Sequence, residues 1–515
     1  MCAAAIPTTM RRGAGCPRRQ YDHARMNFAA EVVDAAPAER LALVELARDG
    51  ARREWSFGEV AERSARLAGT LAANGVARGD VVMTVIGNRP EWVLVMIACF
   101  RLGAVVLPCT EQLRTKDLRL RIEAARPSVI VADERDLGEL RGLDVPVLSV
   151  PDEALYDAEP AAAAELSERD ACLITFTSGT AGEPKGVLHA QRYLYGQRLQ
   201  AEHWLAPRPG ELVWCTAASG WSKSARNVFI APWLQGAAAL LHDARFDPHE
   251  RLEVLVRERV GVLCMAPTEY RVIAKRATLG PLPHLRGMVA AGEALNPEVL
   301  RAWEEATGLR IRDGYGQTET GQLTGAPGDG EPRPGSMGPA LPGVELSIEH
   351  GELLVAPASV PTFFLGYLGE QVSRGEDGAW LSDDRRAGAA WATGDQVSRD
   401  EDGWLYFQGR GDDVIVSAGY RIGPFEVESA LVAHPAVAEA AAVASPDEER
   451  GSVVRAVVVL RDGFAPGPQL AGELQDHVKS VTAPYKYPRI VDFAAELPKT
   501  SSGKVKRAEL RRAGS

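Results

Sequence analysis

The chain has 515 residues, too many for a single hydrophobic core, so two or more domains are expected. Hydrophobic residues make up 46% and charged residues 25%, the balance of a folded, soluble protein. A net charge of −11 argues against a broad nucleic-acid-binding surface, though not against a small basic pocket.

The first residues are rich in arginine but have no apolar stretch, so they do not read as a secretory signal. Residues 1–25 are expected to form a disordered leader, or an extension ahead of Met26. Ser56 and Glu59 make a capping box before Val60, Ser64, Leu67 and Leu71, which recur at helical spacing. A strand follows at 81–86, then a helix framed by Pro90 in its first turn and Gly103 just past its end. The longest apolar run, 92–100, is far short of the ~20 residues needed to span a bilayer, and a cytoplasmic protein is expected.

Further apolar strands read at 104–107, 129–132, 173–176, 262–265 and 287–290, separated by helices. Such runs imply mostly parallel sheets covered on both faces. Near residue 400 the character changes. Asp400, Asp402 and Gly403 make a turn before a strand at 404–407. Strand 413–417, helix 424–433, strand 453–460 and helix 469–481 follow, with a Gly/Ser/Lys-rich end. The expected fold class is α/β: a large N-terminal domain of mostly parallel sheets flanked by helices, over 26–410, and a small mobile α+β C-terminal domain, over 411–515. The seven cysteines (Cys2, Cys16, Cys99, Cys109, Cys172, Cys215, Cys264) form no C-x-x-C pair and read as free thiols of a reducing compartment.

The sequence TSGTAGEPKG at 177–186 directly follows the strand at 173–176. Its hydroxyls, glycines and lysine suit a polyphosphate, because glycine lets backbone N–H groups approach phosphate oxygens. It lacks Walker A spacing, and by composition alone it reads equally as a surface turn. In order along the chain come AGEAL at 291–295, DGYGQTET at 313–320, TGD at 393–395, GRGDD at 409–413, SAGYRIGPFE at 417–426 and PKTSSGK at 498–504. Together these motifs resemble the adenylate-forming superfamily of acyl-CoA synthetases, peptide-synthetase adenylation domains and luciferases. Ala181 stands where that family usually has Ser or Thr, so one hydroxyl contact to phosphate is missing.

The resemblance implies ATP bound by Thr177, Ser178, Gly179, Thr180, Gly182 and Lys185 of the loop, and by Gly292, Glu293 and Ala294. It adds Asp313, Gly314, Tyr315, Gly316 and Gln317, with Tyr315 offering a flat face to adenine. Asp395 suits the ribose hydroxyls, Arg410 assists there, and Arg421 faces the phosphates. Thr318 donates to the α-phosphate, and Glu319 is the oxygen ligand for Mg²⁺. Lys504 neutralises charge in the adenylation transition state. The family rotates its small domain between half-reactions, with Asp412 at the hinge and Gly419 leaving room for the pantetheine of coenzyme A. Tyr420 and Arg450 are the other coenzyme A candidates.

The stretch 214–224, with the Gly220–Trp221 pair, and PTEYR at 267–271 resemble the acetyl- and medium-chain acyl-CoA synthetase branch. An acyl pocket of Gly220, Trp221, Gly292 and Gly316 would suit a medium-chain fatty acid or a benzoate-like ring. Trp221 reads equally as a core residue, and His189 as packing. The expected activity is an ATP-dependent acid:CoA ligase working through an acyl-adenylate, with ATP, Mg²⁺ and coenzyme A as cofactors and a small carboxylic acid as partner. No carrier-protein segment is recognised beside it, which favours soluble coenzyme A. Loading of a separate carrier protein, a catalytically dead binding homologue and a homodimeric assembly stay open at this point.

Overall fold

The computed structural model describes residues 26–177, 184–293, 297–328, 330–375, 379–383, 385–411, 413–417, 420–447, 450–499 and 504–513, with Pro297, Val416 and Arg421 as backbone only. Two large sheets dominate. In the first, strands Val147–Val150, Val129–Asp133, Val81–Val85, Val105–Cys109 and Ala171–Phe176 lie side by side and parallel. Strands Gly186–Ala190 and Gly366–Tyr367 extend that edge antiparallel.

The second sheet has eight strands. Its parallel part runs Leu41–Leu46, Ala238–His242, Leu212–Cys215, Val262–Met265, Gly287–Ala291 and Ile311–Gln317. Each outer edge is an antiparallel strand, Arg52–Ser56 on one side and Gly321–Gly325 on the other. The expectation of mostly parallel sheets therefore holds for the centres. In the second sheet the edges reverse because each is joined to its neighbour by a short turn, which only antiparallel neighbours permit.

One hydrophobic core joins the two sheets. Val82, Val106 and Val131 of the first belong to the same cluster as Leu43, Val213 and Val289 of the second. The helix Pro90–Leu102 lies in this core, with every residue from Pro90 through Arg101 buried except Glu91. Its sequence, apolar nearly all round, has no solvent face to offer. Gly103 ends it at φ 72°, a left-handed cap that suits glycine. The outer faces are covered separately, one by Pro248–Arg257, Pro267–Arg276 and Pro297–Thr307.

A four-stranded antiparallel sheet follows, from Leu346–Glu349, Glu352–Val355, Trp391–Arg399 and Leu405–Arg410. Only its last strand was expected from the sequence. The C-terminal part is a small α+β unit with strands Val437–Asp447, Gly451–Leu460 and Ile490–Phe493. Helices Pro424–Val432 and Pro468–Val481 pack on it around Leu431, Leu474 and Val478. The five described cysteines are buried and free.

The expected capping box is present. Ser56 Oγ accepts from the Glu59 backbone N–H at 3.2 Å, and a Glu59 carboxylate oxygen accepts from the Ser56 N–H at 2.8 Å. Ser56→Ala removes one half of this exchange at the mouth of the helix Phe57–Ala73. It is expected to cost about 1 kcal/mol, read as a lower urea midpoint with an unchanged m-value.

Candidate active site

The parallel strands of both sheets end at one place. Cys109, Cys215, Met265 and Ala291 are terminal or near-terminal strand residues, and each lines one or both of two adjoining cavities. Open α/β sheets bind ligands at such carboxyl ends, because the loops leaving them converge. The larger cavity has a volume of about 870 Å³. The smaller, about 640 Å³, shares Thr110, Trp221, Lys223 and Ala291 with it.

At one end of the larger cavity sits Asp395, only 4% exposed. Its carboxylate accepts from Tyr315 OH at 2.5 Å and from Gln317 Nε2 at 2.9 Å, with Arg410 Nε at 3.5 Å. Burial pushes the carboxyl above its ordinary range, while the Tyr315 bond, Arg410 and Gln317 pull it back. Tyr315 and Gln317 reach it from the strand Ile311–Gln317, and Asp395 stands on Trp391–Arg399 of the antiparallel sheet. Gly316 has to be glycine here, since a Cβ would lie 1.9 Å from the Gly321 carbonyl oxygen.

Thr318 and Glu319 follow on the next turn and also line the cavity. Tyr367 OH donates to Glu319 Oε1 at 2.7 Å. Among the described residues no group of three or more His, Cys, Asp or Glu is arranged to hold a metal. Magnesium does not need one, because it is commonly held by one or two carboxylates plus substrate phosphates. Glu319 beside the Thr318 hydroxyl fits that requirement.

The ends of the phosphate-loop segment are clamped. Thr177 N–H donates to the Lys185 carbonyl at 2.9 Å, and Thr177 Oγ1 accepts from the Lys185 N–H at 3.0 Å. Lys185 Nζ pairs with Glu370 at 2.7 Å. Lys504, from the C-terminal part, lines the same cavity. Burial lowers its pKa most, Lys223 lowers it further, and Glu293 and Asp395 oppose this. Glu293 accepts from Thr268 Oγ1 at 2.7 Å.

The cavity thus gathers Thr177, Lys185, Gly292, Glu293, Asp313, Gly314, Tyr315, Gly316, Gln317, Thr318, Glu319, Asp395, Arg410 and Lys504, together with Gly220 and Trp221. Gly220, at φ 85°, sits where a Cβ would come within 2.8 Å of the Pro108 carbonyl oxygen and the Thr110 N–H nitrogen. Trp221 faces both cavities and is not a core tryptophan. His189 is packing: it is 1% exposed, tilted on Tyr193 at 4.0 Å, and pushed down to about 3 by burial and by Arg226 and Arg192.

Tyr420 and Arg450 do not line either cavity. Tyr420 stacks on Tyr485 at 4.3 Å and is 53% exposed, while Arg450 Nη1 lies 3.9 Å from Asp447. Ser178, Gly179, Thr180, Gly182, Ala294, Asp412 and Gly419 lie outside the described residues, as does the Arg421 side chain. The structure adds Lys223, Arg226, Tyr367 and Trp391, which the sequence reading missed. A lysine and an arginine three residues apart carry no signal that separates a cavity wall from a solvated turn.

Comparison with known proteins agrees with this geometry. The AMP-binding enzyme family matches residues 30–375, and the AMP-binding enzyme C-terminal domain matches residues 426–504. The uncharacterized acyl–CoA ligase YtcI of Bacillus subtilis (strain 168) is 37% identical, over 93% of this chain and 94% of that protein. The mitochondrial acyl-coenzyme A synthetase ACSM3 of Rattus norvegicus is 38% identical, over 90% of this chain and 85% of its own length. Among solved structures, a benzoate CoA ligase from Burkholderia xenovorans LB400 superposes with a TM-score of 0.82 at 27% identity, covering 94% of this chain and 100% of that one. The chain belongs to the AMP-binding enzymes, the adenylate-forming superfamily, and is an AMP-forming acid–thiol ligase that uses ATP, Mg²⁺ and coenzyme A.

Proposed function

We propose that the larger cavity activates a medium-chain fatty or aromatic acid as its adenylate and then passes the acyl group to soluble coenzyme A. The observation that carries this reading is the meeting of Lys504 with Asp395, Tyr315 and Glu319 around one cavity. Residues nearly two hundred positions apart in sequence converge there, and ATP needs all of their chemistries at once. The acid class is supported by the named activities of the relatives and by the apolar wall of Pro108, Leu113, Trp221 and Leu368. In the same reading the protein is cytoplasmic, works as a homodimer, and divides into bodies 26–410 and 411–515 about a hinge at Asp412.

The roles follow from the chemistry of each group. Asp395 accepts the ribose hydroxyls, with Arg410 beside it, and Tyr315 and Gln317 hold the carboxylate in place. Thr177 and Lys185 bind phosphate from the loop ends, and Thr318 donates to the α-phosphate. Glu319 with Thr318 would hold Mg²⁺, which when bound offsets the charge of the phosphates. An oxygen of the substrate carboxylate attacks the α-phosphorus, and the bond to pyrophosphate breaks. Lys504 neutralises the negative charge that builds on the oxygens of that transition state. In the second half-reaction the thiolate attacks the acyl carbon and AMP leaves. Tyr420, Gly419 and Arg450 are assigned to coenzyme A in that step, which uses a different placement of the C-terminal part.

Lys504→Ala is expected to lower acid-dependent pyrophosphate release by about 10²–10³. Thioester formation from supplied acyl-adenylate should stay near wild type; equal loss of both steps removes Lys504 from adenylation. The lowered pKa of Lys504 has a second consequence. The ammonium is present at low pH and lost as pH rises through a value below that of an ordinary lysine. The alkaline limb of kcat/KM for pyrophosphate release should therefore lie below the usual lysine range, and Lys504→Arg, whose guanidinium keeps its charge, should abolish that limb in the residual activity. Glu319→Gln should raise the Mg²⁺ concentration needed for half-maximal rate, and an unchanged magnesium dependence takes Glu319 out of the site.

A further inference from the structure

The acyl side of the cavity carries more positive charge than a monocarboxylic acid can use. Lys223 lies in the turn ahead of the helical segment Arg226–Ile230, three residues before Arg226, and both line the larger cavity. Lys223 Nζ donates to the Ala291 carbonyl at 3.0 Å, which uses one of its three donors. A Cβ on Gly292 would lie 3.4 Å from the same nitrogen, so the ammonium sits at the mouth of the acyl side. Arg226 is only 4% exposed, and among the described residues its Nε and Nη1 have no hydrogen-bond partner.

No ion pair ties either cation to a carboxylate among the described residues; Glu293 lines the same cavity and accepts from Thr268 Oγ1. Arg226 faces Tyr193 and His189, and His189 is itself held neutral by burial and the surrounding arginines. Asp313, the carboxyl that faces Lys223, is pushed to about 8 by burial, so at neutral pH it is largely protonated. The contrast with the smaller cavity is direct. There Arg251 lies 3.5 Å from Glu269, Arg48 pairs with Glu111 and Asp243 at 3.0 and 3.2 Å, and Arg135 pairs with Asp243 at 3.0 Å. Those cations are matched within the protein. Arg226 meets the Tyr193 hydroxyl, but a buried guanidinium with two nitrogens unsatisfied is costly, and an entering anion relieves it.

We propose that the substrate is a carboxylic acid that carries a second carboxylate, held between the Lys223 ammonium and the Arg226 guanidinium. This assignment rests on the ligase reading above and deepens it. Arginine binds a carboxylate through two parallel N–H groups, and lysine adds a point charge, so the pair sets both affinity and orientation. Trp221 provides the flat apolar wall for the carbon skeleton between the two carboxylates. The reacting carboxylate then faces Lys504, and the second faces Lys223. Lys223 acts here as a specificity residue and takes no part in bond making.

The test uses the full chain and carbon-matched acids: hexanoate against adipate, octanoate against suberate, and benzoate against isophthalate. Acid-dependent pyrophosphate release is measured for wild type, Lys223→Met and Arg226→Met, with calorimetric binding of each acid in parallel. Wild type should favour the diacid in at least one pair. Lys223→Met should cut the diacid-to-monoacid ratio of kcat/KM by about 10- to 100-fold, chiefly through KM. Lys223 is only partly buried and lies in a turn, so this variant keeps its fold even where Arg226→Met does not. A wild type that favours the monoacid in every pair overturns the proposal. So does a Lys223→Met variant that loses both acids of a pair alike, which would assign the lysine to the reacting carboxylate. Silence with every acid would be a failure of the ligase reading for these substrates, and calorimetry then decides on the site alone. Diacid binding lost in Lys223→Met sustains the site, and binding unchanged by that substitution overturns it.

Discussion

Asp395 joins three parts of the molecule through one buried carboxylate. It belongs to the antiparallel sheet, its hydrogen bonds come from Tyr315 and Gln317 of the eight-stranded sheet, and Arg410 beside it leads into the C-terminal part. A carboxylate taken out of water is expensive unless its oxygens are fully engaged. Here the engagement is divided between elements that would otherwise be free to slide. Thr393 adds to the arrangement, donating to the Leu353 carbonyl and accepting from the Asp395 N–H. The cost of burying the acid is thus met only when both sheets are in register. The same register opens the cavity.

The cavity gathers cations in a chain that is acidic overall, with Glu293, Asp313, Glu319, Glu370 and Asp395 on the same walls. The net charge is −11, yet Lys185, Lys223, Arg226, Arg410 and Lys504 all line one space. A polyphosphate and a carboxylate both need cations, and a surrounding negative surface does not cancel them at short range, because charges beyond about 8–10 Å are screened by salt. Burial lowers the Lys504 pKa most, and Lys223 and Arg410 add to it against Glu293 and Asp395. A lysine held in a crowd of positive charge is poised to bind an anion and to gain from doing so.

Much of this was legible in the sequence, and the reasons are physical. Central parallel strands are buried on both faces, so they appear as unbroken apolar runs: 262–265 was read with the observed bounds Val262–Met265, and 81–86 runs one residue past Val81–Val85. Pro90, Gly103, Ser56 and Glu59 mark helix ends through local chemistry that no distant contact alters. The strand expected at 413–417 is shorter, Ile415–Ser417, because its first two residues belong to the turn. Most of the antiparallel sheet stayed hidden. Its strands Leu346–Glu349 and Glu352–Val355 are short and alternate in burial, a weak signal beside loop-like composition. Motif residues could be named one by one, but their meeting in a single cavity is a tertiary fact. Lys223 and Arg226 were invisible for the opposite reason. Nothing in GWSKSARN separates a cavity wall from an exposed turn, and only burial tells them apart.

The position of Lys223 also bears on the chemical step. Among the charges that act on Lys504, Lys223 is the largest that lowers its pKa, so the ammonium proposed to serve adenylation is destabilised by the residue proposed to read the acid. A second carboxylate seated on Lys223 and Arg226 would screen that repulsion and favour the charged form of Lys504. A monocarboxylic acid leaves the repulsion in place. Discrimination would then act twice, once in binding the skeleton and once in the charge available to the transition state. Interactions that strengthen on the way to the transition state raise the rate, whereas uniform binding only lowers KM. Because both effects originate at one ammonium, the site needs no separate device to couple recognition of the acid to its activation.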